Sequence, residues 1–388
     1  MRSRDSKAKS HGAAEKIGQA ARSVETFWQR VTEGIELQDL WGQFKTEARS
    51  SYGLYSRDVD WAGIQSGTAW RRPFRIAWAL FKAMLMKMSP ARRVLLLLAI
   101  VMLVFSGEAK VAGEFISIKF EALGASILFL LLALELADRV TMKRDLEIAR
   151  EIQRWLVPES PPQAPGVDIA FSTRPANTVA GDYYDAILRS RIEGQSQQLL
   201  LAVADVAGKS VPAAMLMATF QASFRALEGN GEGFAELVRG MNRYACANSL
   251  NGLRFTTAFL AQIDLSTHEM EYTSAGHNPP LLRRSSGAME KLEAGGLPFG
   301  IEPDEKYERG AARLGPGDLL VIYTDGVVEA VNEREEQFEV KRLQEIVAAT
   351  PASESAAATL ARLTAAVDAF AGQARQYDDI TCLILRVL

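Results

Sequence analysis

In the second half of this 388-residue chain, an aspartate stands repeatedly where a short apolar run meets a turn. Apolar runs bounded by turn residues predict buried β-strands. The runs 199–204 and 318–324 are each followed by an aspartate, the run 380–387 follows an aspartate pair, and a further aspartate begins a strand-like segment near residue 182. The chain therefore has to fold into strands whose ends carry acidic groups.

The four main aspartates are Asp182, Asp205, Asp325 and Asp378. Each alone is typical of a turn or of a helix N-cap. If their strands neighbour one another in one sheet system, the carboxylates converge at one rim, where they repel one another unless a divalent cation neutralises them. The chain has two cysteines and three histidines, so cysteine-rich and histidine-rich zinc sites are excluded. A carboxylate site of this kind favours Mg²⁺ or Mn²⁺.

Two further aspartates, Asp185 and Asp379, are secondary candidates for the same site. Successive side chains of an extended strand point to opposite faces. Asp182 and Asp185 should therefore face opposite ways, and so should Asp378 and Asp379. One member of each pair is therefore expected to face the rim.

Composition divides the chain near residue 160. All six tryptophans lie in the first 155 residues, and the proline-rich stretch 158–165 has the character of a stiff linker. We predict a cytoplasmic helical region over 1–93, a membrane hairpin over 94–137, a linker over 138–165 and a catalytic domain over 166–388. The balance of 44 Lys and Arg against 47 Asp and Glu lacks the basic excess of a nucleic-acid-binding protein, so that class is excluded.

The first half carries a membrane signal. Segment 68–93 has seven basic residues, aromatic residues between them and no acid, as in a helix that lies on an anionic membrane; a basic patch for a protein partner is the alternative. The apolar runs 94–105 and 122–134 span only about 18–20 Å each as helices. Basic residues flank both runs on the outside, which predicts a two-helix hairpin in the cell (inner) membrane with both flanks cytoplasmic. A pair of buried soluble helices is the alternative.

Segment 138–156 has helical composition, with Leu146, Ala149, Ile152 and Leu156 along one stripe. Such a stripe is typical of a short coiled-coil seam, which would pair two copies of the chain, or of a helix packed on the next domain. Nineteen residues leave both interpretations open.

Eight stretches in one order resemble the bacterial sporulation-protein-E (SpoIIE-like) branch of the PPM-type metal-dependent serine/threonine phosphatases, over about residues 150–388. They are "EIQRWLVPESPP", "AGDYYDAI", "VADVAGKSVPAAMLMA", "FTTAFLAQID", "YTSAGHNPPLL", "LPFGI", "LGPGDLLVIYTDGVVEA" and "DDITCLIL". The resemblance implies an α+β fold, a β-sandwich flanked by helices in an α-β-β-α arrangement. It also implies two metal ions, Mn²⁺ or Mg²⁺, at the sandwich edge.

The resemblance further implies hydrolysis of phosphoserine or phosphothreonine on a regulatory protein such as an anti-sigma-factor antagonist. Asp182, Asp205, Asp325 and Asp378 match the family's metal-binding aspartates, and the Val206 carbonyl is an expected further contact. Water activated between two metal ions would then attack phosphorus directly. We expect a membrane-anchored phosphatase of this type, and the alternative is a non-catalytic membrane signalling adaptor built on a phosphatase-like fold.

Two further residues in the matching stretches are candidates for a role in the reaction. His277 could act as a general acid, or its hydrogen bonds could pin a loop; Lys209 could contact the substrate phosphate or simply face solvent. The sequence departs from the family at Ala180, Ser210 and Glu339, which stand where glycine is usual. None of these departures removes a carboxylate.

Overall fold

A computed structural model of the protein describes residues 72–104, 109–111, 114–116, 120–189, 196–208, 210–229, 233–249 and 254–388. Most of the predicted region 1–93 and Lys209 lie outside these described residues. The chain divides into two compact units, Met1–Ala137 and Asp138–Leu388. The division falls at the end of the predicted hairpin, 94–137.

The first unit is helical over most of its described length. Helix α1 covers Arg72–Lys87, α2 covers Pro90–Val104, and a two-stranded ribbon of β1 (Ala109–Val111) and β2 (Glu114–Ile116) precedes α3 (Phe120–Leu156), whose start belongs to this unit. Helix α2 lies against α3 at Gly124, where an added Cβ would stand 2.9 Å from the Ala99 carbonyl oxygen. The missing side chain therefore allows the two backbones a close approach, as small residues do between membrane helices.

Helix α3 is the one helix within the described ranges that is long and apolar enough to cross a membrane. Helix α2 has 15 residues, or about 22 Å, against a hydrocarbon core of about 30 Å, and Arg92 and Arg93 occupy its first turn. The predicted two-helix membrane hairpin is therefore not confirmed. Within the described ranges, the structure supports one candidate membrane-spanning helix, α3.

The second unit holds a β-sandwich. Its strands are β3 (Val167–Arg174), β4 (Tyr183–Arg189), β5 (Gln198–Val206), β6 (Thr256–Asp264), β7 (Glu269–Ala275), β8 (Leu281–Arg283), β9 (Met289–Lys291), β10 (Gly295–Gly296), β11 (Gly310–Arg313), β12 (Leu319–Tyr323) and β13 (Ile380–Val387). One sheet has the order β10-β7-β6-β5-β4, with β11 also paired to β7, and the other has the order β3-β13-β12-β8-β9. Neighbouring strands are antiparallel except β10 and β7.

Helices cover the outer face of each sheet. They are α4 (Ser210–Gly229), α5 (Phe234–Ala247), the short α6 (Asp325–Val328), α7 (Glu339–Ala349) and α8 (Ala356–Ala371). Three apolar clusters follow from this layering: one between the sheets, one that joins the first sheet to α4 and α5, and one that joins the second sheet to α7 and α8. Because the central strands are covered on both faces, β5 and β13 are apolar along almost their whole length. The expected α-β-β-α arrangement is confirmed.

Two of the three departures from the family's glycines have a conformational cost. Ser210 has φ +62° and Glu339 has φ +65°, in the left-handed region that glycine adopts without strain. Glu339→Gly should therefore raise the free energy of unfolding by about 0.5–1 kcal/mol, measured by thermal or urea unfolding.

A matched control for Glu339→Gly lies within the same helix. Glu345 is exposed in the interior of α7, so Glu345→Gly should lower stability by about 1 kcal/mol. If both substitutions destabilise the protein equally, the left-handed strain at residue 339 is not real.

Candidate metal centre

Antiparallel strand pairing places the predicted aspartates in two pairs. Strand β4 begins beside the end of β5, since Tyr183 pairs with Ala204, so Asp182 lies next to Asp205. Strand β13 begins beside the end of β12, since Tyr323 pairs with Cys382, and this brings the segment of Asp378 next to Asp325. Each sheet therefore contributes one pair of carboxylates.

Hydrogen bonds between the two sheets bring the pairs together. The Thr324 hydroxyl, in the second sheet's loop, donates to Asp182 Oδ2 of the first sheet at 2.9 Å. In the other direction, the Gly181 amide donates to Asp379 Oδ2 at 2.6 Å and the Ala176 amide donates to Asp379 Oδ1 at 2.7 Å. Both carboxylate oxygens of Asp379 thus accept hydrogen bonds from backbone amides. Through the bond to Gly181, Asp379 links the second sheet to the first.

The pKa values of two carboxylates report this crowding. Burial raises the pKa of Asp182 well above its usual range, and the nearby charges of Asp205 and Asp379 raise it further. Burial also raises the pKa of Asp205 to about 7, together with the charges of Asp325, Asp378 and Asp379. The five aspartates therefore share one electrostatic site, although they come from four separate parts of the chain.

The donor set of this site suits a hard divalent cation. It consists of carboxylate oxygens, and the Val206 carbonyl lies at the same place, 3.4 Å from where a Cβ on Gly181 would stand. Among the described residues, no three His, Cys, Asp or Glu side chains are already arranged around a single point as ligands of one ion. Asp182 and Asp379 instead accept hydrogen bonds from neighbouring groups. The charges of Asp325, Asp378 and Asp379 repel the ionised Asp205 carboxylate and, together with burial, raise its pKa to about 7. A bound cation would relieve this repulsion.

Gly326 allows the two loops of the second sheet to meet, a role that sequence reasoning did not assign to it. A Cβ on Gly326 would lie 2.0 Å from the Asp379 carbonyl oxygen and 2.8 Å from its carbonyl carbon. The start of α6, which carries Asp325, therefore packs directly on the backbone that carries Asp378 and Asp379. The turn pair Asp-Gly gave a signal for a tight turn, but not for this contact between residues 53 positions apart.

The structure places Asp185 in a separate network. Its side chain is fully buried and forms a salt bridge with Arg225 of α4, with Nη2 to Oδ1 and Nε to Oδ2 both at 2.8 Å. The Ala186 amide and the Tyr183 hydroxyl also donate to it. Burial raises the pKa of Asp185, and the bonds to Tyr183 and Arg225 oppose that rise. We therefore leave Asp185 out of the proposed ligand set.

Replacing Arg225 tests that assignment. Arg225→Met leaves the buried Asp185 carboxylate without its cation and should lower the free energy of unfolding by about 2 kcal/mol. The affinity of the folded protein for Mn²⁺, measured by calorimetry, should stay within about twofold. Arg239→Met removes a surface pair with Glu236 and serves as the control, with an expected change below about 0.5 kcal/mol. A tenfold loss of Mn²⁺ affinity without a loss of stability would instead connect Asp185 to the metal.

His277 is buried and holds its loop. Its backbone amide donates to the Ser274 hydroxyl at 3.1 Å, that hydroxyl donates back to the His277 carbonyl at 3.1 Å, and Nδ1 lies 3.1 Å from Thr257 Oγ1. Burial lowers the pKa of His277 to about 4, so the ring is neutral at neutral pH. A histidine acts as a general acid in its protonated, cationic form, which is not populated at neutral pH. The hydrogen bonds therefore favour the alternative role, in which His277 holds its loop in place.

The sequence and fold of this chain are similar to known proteins. A family model described as Stage II sporulation protein E (SpoIIE) matches residues 195–388. The chain is 31% identical over 193 residues to phosphoserine phosphatase RsbU of Bacillus subtilis strain 168, which covers 50% of this chain and 56% of that protein. It is 30% identical over 245 residues to protein IcfG of Synechocystis, which covers 56% of this chain and 38% of that protein. The chain therefore spans about half the length, or less, of these curated relatives.

The fold is similar to that of a solved phosphatase domain. The SiaA-PP2C domain of Pseudomonas aeruginosa matches with a TM-score of 0.56 at 21% identity, over 65% of this chain and 99% of that chain. The second unit thus has the PP2C fold. In that fold the carboxylates described above lie at one edge of the sandwich.

Proposed function

Because this chain belongs to the stage II sporulation protein E (SpoIIE) family, we propose that it is a metal-dependent protein serine/threonine phosphatase anchored to the membrane. The observation that carries this proposal is the convergence of Asp182, Asp205, Asp325 and Asp378 at one site. There, burial and the charges of Asp325, Asp378 and Asp379 raise the pKa of Asp205 to about 7. The 31% identity to a phosphoserine phosphatase supports the same activity. A phosphorylated anti-sigma-factor antagonist is the proposed substrate, in line with the family resemblance.

In this proposal each residue of the site has a defined task. Asp182, Asp205, Asp325 and Asp378 hold two ions, Mn²⁺ or Mg²⁺, with the Val206 carbonyl as a further contact. Thr324 and Asp379 fix the two sheets relative to each other through their hydrogen bonds to Asp182 and Gly181. When bound, the ions would lower the pKa of water and offset negative charge on the phosphoryl group.

The experiment that tests the activity is hydrolysis of a phosphoserine peptide by the full chain in detergent. Turnover should require Mn²⁺ or Mg²⁺ and stop when EDTA is added. A non-catalytic adaptor is the competing function, and it predicts no release of phosphate at any metal concentration. Phosphate release that persists unchanged in EDTA would contradict the proposed metal dependence.

We propose that both flanks of the apolar segment face the cytoplasm and that two apolar helices insert into the membrane. The support lies in exposed apolar side chains on α2 and α3, such as Val94, Phe129 and Leu132, and in the close approach at Gly124. The exposed Phe74 and Trp78 on the basic helix α1 suit the membrane surface. The full chain should stay with membranes after a high-salt wash and be released by detergent. Recovery in the salt-washed soluble fraction would refute the anchoring.

We also propose that the 138–156 part of α3 pairs two copies of the chain and transmits an input signal. In the predicted stripe, Leu146, Ala149 and Leu156 are half-buried and only Ile152 is exposed. The exposed apolar stripe of this helix instead consists of Ile148, Ile152 and Trp155, at i, i+4 and i+7, and it is the one available for pairing. On the other side, the Gln153 side chain accepts from the Ala180 amide at 2.9 Å and donates to its carbonyl at 2.7 Å. These hydrogen bonds therefore connect the helix to the backbone of Ala180, two residues before Asp182.

Charges in that stripe should separate the dimer. In the Ile148→Asp/Ile152→Asp variant, two like charges would face each other across the seam, and the mass measured by light scattering in detergent should fall to that of one chain. Arg150→Asp, at an exposed position on the other side of the same helix, should leave the mass unchanged. An unchanged mass in both variants would contradict pairing through this stripe.

A further inference from the structure

A groove of about 360 Å³ opens beside the candidate metal centre. Its walls are the segment that follows Asp325, the end of α8 and the loop that leads into β13, and Gly326 and Asp378 belong to both the groove and the site. Half-buried Val331, Ala371 and Ala374 form an apolar side. Tyr377, with 64% of its surface exposed, forms another side. We name this feature the Tyr377 groove.

We propose that the Tyr377 groove binds the segment of the phosphoprotein substrate next to the phosphoserine and prefers an apolar side chain there. This inference rests on the proposed function. A phosphoserine side chain is only a few bonds long, so when its phosphorus reaches the metal centre its neighbouring residues must lie against the walls around that centre. This groove shares Gly326 and Asp378 with the centre, and its walls can supply those contacts.

The chemistry of the walls determines which side chain they accept. Arg174 and Asp368 line the groove but form an ion pair with each other, which removes two charges as binding determinants. Glu329 and Arg375 also line the groove and carry opposite charges, so neither sign of charge prevails there. The apolar part of the wall, formed by Val331, the alanines and the exposed ring of Tyr377, suits an apolar side chain, which loses water when it packs on Tyr377.

Hydrogen bonds fix the loop that carries Tyr377, so this wall of the groove has a defined conformation. The Gln376 side chain donates to the Arg174 carbonyl and to the Asp378 carbonyl, both at 2.8 Å. At the start of the loop, the Gln373 amide donates to Glu333 at 3.3 Å. A substrate side chain in the groove therefore contacts the same loop that positions Asp378.

The test compares two phosphoserine peptides that have either leucine or glycine on both sides of the phosphoserine, with p-nitrophenyl phosphate as a substrate too small to fill the groove. The wild-type full chain with Mn²⁺ should prefer the leucine peptide by about tenfold in kcat/KM. Tyr377→Ala should remove that preference and leave p-nitrophenyl phosphate turnover within about twofold. Val331→Asp, which puts a charge in the apolar wall, should do the same.

The control is Leu388→Ala, which truncates an exposed apolar residue beyond the opposite end of β13 and should keep the preference. The inference is overturned if the wild type shows no preference, or if Tyr377→Ala keeps it. A loss of p-nitrophenyl phosphate turnover equal to the loss of peptide turnover also overturns it, because the residue would then act on the metal centre. If the wild type hydrolyses none of the three substrates, the proposed function itself fails and the inference fails with it.

Discussion

Replacing Asp205 by asparagine should abolish phosphoserine hydrolysis and, at the same time, make the metal-free protein more stable. Asp205 is proposed as a ligand of the metal ions that activate water, so its loss should lower kcat/KM by about 1,000-fold or more. In the absence of metal, burial and the charges of Asp325, Asp378 and Asp379 penalise the ionised carboxylate. Asparagine has nearly the same shape without that charge, and the free energy of unfolding should rise by about 2 kcal/mol.

The gain in stability should depend on pH in a defined direction. The pKa of Asp205 is about 7 in the folded protein, and it is roughly 3.9 for an aspartate in an unfolded chain. The folded state therefore holds the proton more tightly, and stability is lost as pH rises from about 4 through about 7. The advantage of Asp205→Asn should be absent near pH 4 and complete above pH 7.

Thermal unfolding of metal-depleted protein at about pH 4.5 and pH 8 measures this effect, with an expected rise in Tm of about 4–8 °C at the higher pH. Asp304→Asn is the matched control, because Asp304 is exposed and should show no change in Tm or turnover. If Asp205→Asn melts like the wild type at both pH values, the carboxylates are not crowded. Unchanged turnover would remove Asp205 from the site.

Gly326→Ala should disrupt the centre although it changes no charged group. A Cβ at residue 326 would stand 2.0 Å from the Asp379 carbonyl oxygen, which is a backbone atom and cannot rotate away as a side chain could. The start of α6 and the segment of Asp378 would have to separate, so we expect a loss of stability of about 3 kcal/mol. Turnover should fall by at least about 100-fold, because a displacement near 1 Å is enough to misplace reacting groups.

Calorimetric titration with Mn²⁺ and a urea unfolding curve measure the two effects of Gly326→Ala. Gly229→Ala is the control, since an added Cβ there meets nothing within 4 Å. We expect that control to keep wild-type turnover. A folded Gly326→Ala protein with wild-type Mn²⁺ affinity would show that the close contact is not needed for the site.

The strands of the site could be predicted from local sequence. The runs 199–204, 318–324 and 380–387 coincide with β5, β12 and β13 to within one or two residues, because buried strands covered on both faces are apolar throughout. The layering of helices on both sheets came from the family resemblance. Local patterns alone do not specify which strand neighbours which.

The contacts that assemble the centre were not predicted. The sequence predicts that the carboxylates converge at one rim if their strands neighbour one another in one sheet system. It does not predict that each sheet supplies one pair, or that hydrogen bonds of Thr324 and Asp379 join the two pairs. Arg225, 40 residues from Asp185, gave no sign in the sequence of being its partner. Such contacts depend on tertiary packing, which leaves no periodic signal in the chain. Local sequence also gave no signal for the different lengths of the two apolar helices, since residues 94–104 of the first run lie in the 15-residue α2 and the run 122–134 lies in the 37-residue α3.

Diffraction from crystals grown with Mn²⁺, recorded at the manganese edge, tests the central claim most directly. The account predicts two anomalous peaks about 3.5–4 Å apart, each within about 2.2 Å of carboxylate oxygens from Asp182, Asp205, Asp325 or Asp378. Peaks elsewhere on the molecule, with these four side chains directed away from one another, would contradict it.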